Sequence, residues 1–222
     1  MSGVRFSNLT LEVSQNLVCK GFKKPESVGF EKPTAHHEKP TTHKEFDLQW
    51  CLDTKKKMKT LADLLLLGDP RLYEVCAPVL PEEQNQLIGW VADLHNVMQE
   101  VRTKYGFGRA IAAPQLGIMK RLIYMNIDRP VVFINPELVN LSDETFELWD
   151  DCMSFPNLLV KVKRHKSLTI KYFDENWQSQ EWPMKEALSE LLQHEYDHLD
   201  GVLCTMRAID AQSFRWRPTP SK

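Results

Sequence analysis

A chain of 222 residues with 42% hydrophobic content is long enough for one ordinary core plus an appendage. Its 28 Lys and Arg against 30 Asp and Glu leave a net charge of −2, so electrostatics supplies no reason to expect a nucleic-acid partner. No run of eighteen apolar residues suits a membrane-spanning helix, and the five cysteines include no C-x-x-C pair, so no disulfide framework is expected and a reducing compartment is the default.

Residues 1–57 hold three of the 13 prolines, His36, His37, His43 and the run Lys55-Lys56-Lys57, with little sustained apolar periodicity. This composition predicts a weakly structured N-terminal extension, with one domain over residues 58–222. The three histidines could form a metal cluster, but solvated side chains in a polar tail are the simpler reading. Glu12, Glu26, Glu31 and Glu38 argue against an organellar transit segment, since such segments are poor in acids. A cytoplasmic location is therefore expected, with mitochondrion or plastid as the alternative.

A helix is predicted over 80–104, with Pro81 at its start, Leu87, Ile88, Val91, Leu94, Met98 and Val101 at helical spacing, and Gly106 as its stop. Short β-branched or aromatic runs over 121–127, 130–134, 144–149 and 167–173 read as strands. The run Lys161 to Lys166 reads either as a solvated charged segment or as the setting of a functional Arg164. A last helix is predicted over 183–200, with Pro183 in its first turn and Gly201 as its stop. The order predicts an α+β fold with short, mainly antiparallel sheets packed around a central helix. Cys76 and Cys204 sit among apolar residues as small core side chains, and His95 and His165 read as surface or capped.

The last helix carries Gln193-His194-Glu195-Tyr196-Asp197-His198. An H-E-x-x-H puts two imidazoles one turn apart on one helix face, where they can take adjacent corners of a metal's coordination shell. Glu195 is left over as a base for water. A catalytic ion commonly takes three protein ligands, and metalloproteases with this motif place the third one downstream. Only Asp200, Cys204 and Asp210 follow, and Asp200 and Cys204 do not have the required spacing. Upstream, Cys152 in Trp149-Asp150-Asp151-Cys152-Met153-Ser154 is the better choice.

Three motifs taken together carry a resemblance: Gly108-Arg109-Ala110-Ile111-Ala112-Ala113-Pro114-Gln115-Leu116-Gly117, then Asp150-Asp151-Cys152-Met153-Ser154, then Gln193 to His198. In order and separation they resemble the signature motifs of the peptide deformylases. The likeness runs from about Thr60, through Leu67-Gly68-Asp69-Pro70-Arg71-Leu72, to about Asp210. It implies one divalent metal ion held by Cys152, His194 and His198, Fe2+ in the cell with Zn2+ as a substitute, and Glu195 as general acid and base. Gln115 through its side-chain amide and Met153 through its backbone N–H are the implied donors to the developing oxyanion. The implied substrate is an N-formylated peptide or nascent chain met near the ribosome.

Two of the motifs depart from the family pattern. Its E-G-C reads Asp150-Asp151-Cys152 here, and its G-x-G reads Gly108-Arg109-Ala110. In the family these glycines let an extended peptide lie against the backbone, so Gly108, Arg109, Ala110, Asp150 and Asp151 are the expected substrate contacts. Asp151 is expected to narrow the groove and to raise the pKa of Glu195. Arg109 is a possible acceptor of an acidic residue downstream of the formylated one. The resemblance also implies an Asp150 to Arg164 ion pair, with Gln193 and Asp197 orienting the ligands. Two rival readings stand beside removal of a formyl group: an amidohydrolase for another N-formyl or N-acyl compound, and a metal-retaining protein without turnover.

Overall fold

The computed structural model describes residues 57–218, so the expected N-terminal extension lies, apart from Lys57, outside the described residues. Among the described residues, two α-helices, α1 (Gln84–Tyr105) and α2 (Glu186–Leu199), accompany eight strands. The strands are β1 (Ala110–Ala112), β2 (Leu122–Asn126), β3 (Pro130–Val139), β4 (Thr145–Asp151), β5 (Leu158–His165), β6 (Ser167–Phe173), β7 (Ser179–Lys185) and β8 (Phe214–Trp216). One sheet runs β1-β2-β3-β6-β7 and the other β4-β5-β8, with every pairing antiparallel. The fold is thus α+β, as expected.

Alternation along the strands divides the core. Leu122, Tyr124, Val132 and Ile134 face α1, where Leu87, Val91, Leu94, Val97, Met98 and Val101 recur every three or four residues. Ile123, Met125 and Phe133 face the other way, toward Leu191, Leu192 and Leu199 of α2. Each large side chain so buried contributes about 1.5–3 kcal/mol, and a slip of one residue would turn the whole set outward. With both faces buried, the register is firmly specified. Among the described residues, no helix is long and apolar enough to cross a membrane.

The helix expected over 80–104 forms as α1, preceded by a 3-10 turn over Pro81–Glu83 and closed by Gly106 at φ 75°. The strands expected over 121–127, 144–149 and 167–173 form as β2, β4 and β6. The run 130–134 extends further than expected, to Val139. A register shift lies between Ile134 and Glu137, where Asn135 takes φ 48° and Pro136 lacks an N–H, so the sequence resembles a strand end. The basic run proves to be most of β5: Val160, Val162 and Arg164 point inward while Lys163 is exposed, so the arginine continues a buried face.

The last helix is shorter than the predicted 183–200. Pro183 belongs to β7 opposite Thr169 and is not part of a first helical turn. β7 is a sheet edge, and an edge tolerates a residue without an N–H. The helix then begins at Glu186 and ends before Gly201, as expected at that end. Gly201 sits at φ 69°, and a Cβ there would lie 2.5 Å from the Tyr73 carbonyl oxygen. Left-handed strain and a backbone clash coincide at one position. Gly201→Ala is therefore expected to lower the melting temperature by more than about 6 °C, measured calorimetrically.

Candidate active site

The helix α2 packs against strands of the five-stranded sheet on one side and against β5 of the three-stranded sheet on the other. Its 3.6-residue repeat stacks His194 and His198 on one face, and their Nε2 atoms lie 3.2 Å apart. Cys152 directly follows β4, and the pairing of β4 with β5 carries its Sγ to 3.3 Å from His198 Nε2. A tetrahedral ion with nitrogen and sulfur ligands at ordinary lengths holds those atoms about 3.3–3.6 Å from one another. The three buried side chains therefore fit one four-coordinate ion with little adjustment.

Glu195 lies beside the ligands, and its Oε2 has no hydrogen-bond partner among the described residues. Burial pushes its carboxyl up to about 7; His194 and Arg109 oppose this rise, while Asp150 and Glu190 add to it. A proton acceptor poised near neutrality results. Gln115 Oε1 accepts the Ala112 backbone N–H at 3.0 Å, which turns Nε2 toward Cys152 Sγ, at 3.6 Å, and Ser154 Oγ, at 3.2 Å. The amide orientation is set by the backbone, so the donor end faces the site. Met153 follows the ligand, and its side chain packs where a Cβ on Gly108 would meet it at 2.9 Å.

A buried chain of charges holds His194. Asp197 Oδ2 lies 2.6 Å from Arg164 Nη1, Arg164 Nη2 lies 3.0 Å from Asp150 Oδ2, and Asp150 Oδ1 lies 2.9 Å from His194 Nδ1. Burial alone would lower the pKa of His194, yet Asp150 raises it well above its usual value. Burial would likewise raise Asp150, but His194 and Arg164 hold it at about 2. The carboxylate thus orients the ring through Nδ1 and leaves Nε2 toward the ligand cluster.

Three expectations require correction. Asp150 is only 4% exposed and fully engaged with Arg164 and His194, so it supports a histidine and does not meet a peptide. Gln193 does not orient a ligand: its amide bonds the His165 backbone and Ser189, tying α2 to the end of β5. Asp151 is not among the largest influences on Glu195; its Oδ2 is held 2.5 Å from Arg217 Nη2, while Asp150 and Glu190 supply the leading negative charge. Asp197 acts on His194 only through Arg164 and Asp150, and it also pairs with Arg207 at 2.8 Å.

Gly108, Arg109 and Ala110 lead into and begin β1, and Arg109 reaches across to Glu190 of α2. Cys204 is buried as expected, but it also lies within 4.8 Å of Asp150 and His194. Burial raises its thiol to about 12, so it remains a neutral core side chain. Sequence reasoning missed Glu190, Arg207 and Arg217. Only Glu190 had a readable signal, four residues before His194 and hence on the same helix face.

This arrangement of an antiparallel α+β scaffold, two histidines and a glutamate on one helix and a cysteine from a facing sheet is that of a metal-dependent hydrolase. The sequence model of the polypeptide deformylase family matches residues 61–214. The chain belongs to that family. It is 32% identical to a peptide deformylase of Thermotoga maritima over 149 residues, 66% of this chain and 87% of that protein. Against the Pseudothermotoga lettingae enzyme, identity is 35% over 138 residues, 62% of this chain and 77% of the relative. The crystal structure of a Synechococcus elongatus peptide deformylase in complex with actinonin matches with TM-score 0.61 and 30% identity, covering 68% of this chain and 80% of that one.

Proposed function

We propose that Cys152, His194 and His198 hold one divalent metal ion per chain, Fe2+ in the cell with Zn2+ as a substitute, and that Glu195 moves the protons of the reaction. The protein is a hydrolase that removes the formyl group from N-formylmethionyl peptides and releases formate. The single observation that carries the site assignment is the close set of three ligand atoms beside a buried carboxylate oxygen without a hydrogen-bond partner among the described residues.

A divalent ion in this cluster would supply Lewis-acid activation of water, lowering its pKa from about 15.7 toward neutrality. The chain's own residues do the rest. Glu195 accepts the proton from the attacking water at its free Oε2 and returns it to the departing amine, leaving formate and a free N-terminus. Gln115 Nε2 and the Met153 backbone N–H are the proposed donors to the carbonyl oxygen as it gains charge; one such donor is worth about 2.7–4 kcal/mol. Asp150, with Arg164 and Asp197 behind it, keeps His194 in the orientation that presents Nε2.

We place this work in the cytoplasm, on nascent chains close to the ribosome. The acidic residues Glu12, Glu26, Glu31 and Glu38 support that location over an organelle.

The test is release of formate from formyl-Met-Ala-Ser, and of acetate from its acetylated counterpart, by metal-loaded protein. Release from the formyl peptide alone is expected. Release from both would indicate a broader amidohydrolase, and full metal content with no release from either would indicate a protein that keeps the ion without turnover. Cys152→Ala, His194→Ala and His198→Ala should each lose bound metal together with activity. Full occupancy in Cys152→Ala, measured by elemental analysis, would refute the ligand set.

A further inference from the structure

Three arginines crowd the rim of the site, and the deformylation steps use none of them. Arg109 stands just before β1 and reaches α2, where Nη1 donates to the Ala187 carbonyl at 3.2 Å and Nη2 to the Glu190 carboxylate. Glu190 precedes His194 by four residues, a rise of about 6 Å along the helix. The cation is thereby anchored about one turn from a metal ligand. Glu190 lies beneath it with a side chain 9% exposed, whereas the Arg109 side chain is 41% exposed. These two bonds use two of the five guanidinium donors, so the outer edge faces solvent with donors to spare.

Asp151 is the carboxylate placed to compete for that edge, but Arg217 takes it up. Arg217 also donates Nε to the Pro156 carbonyl at 3.0 Å and lies over the Phe107 ring at 4.1 Å, so three contacts fix it in place. Arg102, the third cation, donates to the backbone carbonyls of Gly108 and Asn126 and props up the loop that precedes β1. Around this loop, Arg217 is held by Asp151 and Arg102 by backbone carbonyls, so Arg109 is the cation of the three whose side chain keeps an exposed edge.

We propose that Arg109 is a specificity-determining residue that reads a carboxylate on the substrate just downstream of the formylmethionine. The carboxylate comes either from an acidic side chain at the second residue or from the C-terminus of a short formyl peptide. An extended chain rises about 3.3 Å per residue, so a cation anchored on Glu190, one helical turn before His194, lies within the span of the first residues downstream. A guanidinium fork with a free edge pairs with a carboxylate through two parallel hydrogen bonds, and a lysine or an amide would not replace it. The inference rests on the deformylase reading and names its preferred substrates.

The experiment compares kcat/KM of the metal-loaded full chain on formyl-Met-Glu-Ser amide and formyl-Met-Gln-Ser amide, which differ in charge but hardly in shape. The acidic peptide is expected to win by at least about tenfold, mainly through KM, and less at high salt. In the variant Arg109→Gln with Glu190→Gln, changed together so that no buried carboxylate loses its partner, the ratio should fall to near one. A preference for formyl-Met-Ala acid over its amide, lost in the same variant, would identify the chain terminus as the source. Parity within twofold on both comparisons, or a preference that survives the double change, overturns the inference while leaving deformylation intact. Absence of formate from every formyl peptide would sink the deformylase reading instead. Calorimetric binding of Met-Glu-Ser amide and Met-Gln-Ser amide would then decide the role of Arg109, with equal affinity overturning it.

Discussion

Glu195→Gln is expected to keep about one equivalent of metal while formate release falls at least about 100-fold, because the ligands survive and the base does not. The amide is nearly isosteric with the carboxylate, and Glu195 contributes no ligand atom to the Cys152, His194 and His198 cluster. What disappears is a proton acceptor that burial has raised to about 7. Metal analysis and single-turnover kinetics on a formyl peptide measure the two quantities separately. Loss of metal in this variant would make Glu195 part of the coordination sphere, and retained turnover would move the proton transfer to another group.

The second large effect is expected at Arg164. Its two ends hold Asp150 at 3.0 Å and Asp197 at 2.6 Å in surroundings that exclude solvent. Arg164→Met preserves apolar volume but takes the shared partner from two buried carboxylates, leaving Asp150 to His194 and Asp197 to Arg207, and removing one partner of such a cluster costs about 3–5 kcal/mol. For a domain of this size, that corresponds to a fall in melting temperature of roughly 6–20 °C. Metal affinity should fall about 10–100-fold as well, since Asp150 is then no longer held against His194 Nδ1. Arg164→Lys should be intermediate, because one ammonium does not span both carboxylates as a planar fork does. A melt within 2 °C of the parent and unchanged metal titration in Arg164→Met would show that the chain of charges does not hold the site.

Different parts of the fold were legible for different reasons. α1 could be read because its stripe is long, its start has a proline and its end has a glycine, all of them local signals. β2, β4 and β6 were legible as short β-branched or aromatic runs bounded by turn residues. β5 was obscured because an inward arginine interrupts an otherwise apolar face, and hydropathy cannot distinguish a buried paired arginine from a solvated one. Pro183 misled because proline suits a first helical turn and a sheet edge equally well, and which of the two it occupies depends on the neighbouring strand.

The chemistry divides along the same line. The chain alone places the two histidines on one helix face with Glu195 next to the first, because a spacing of four residues is a property of the helix itself. It also determined Cys152 and Gln115, through motifs whose residues are contiguous. Only the tertiary structure decided what surrounds them. It turned Asp150 inward to His194 and gave Asp151 to Arg217, 66 residues away, and Arg109 to Glu190, 81 residues away. Pairings at such separations leave no periodic trace in the chain. They depend on which strand edge meets which helix face, and that is settled by burial of the apolar faces on either side of the five-stranded sheet.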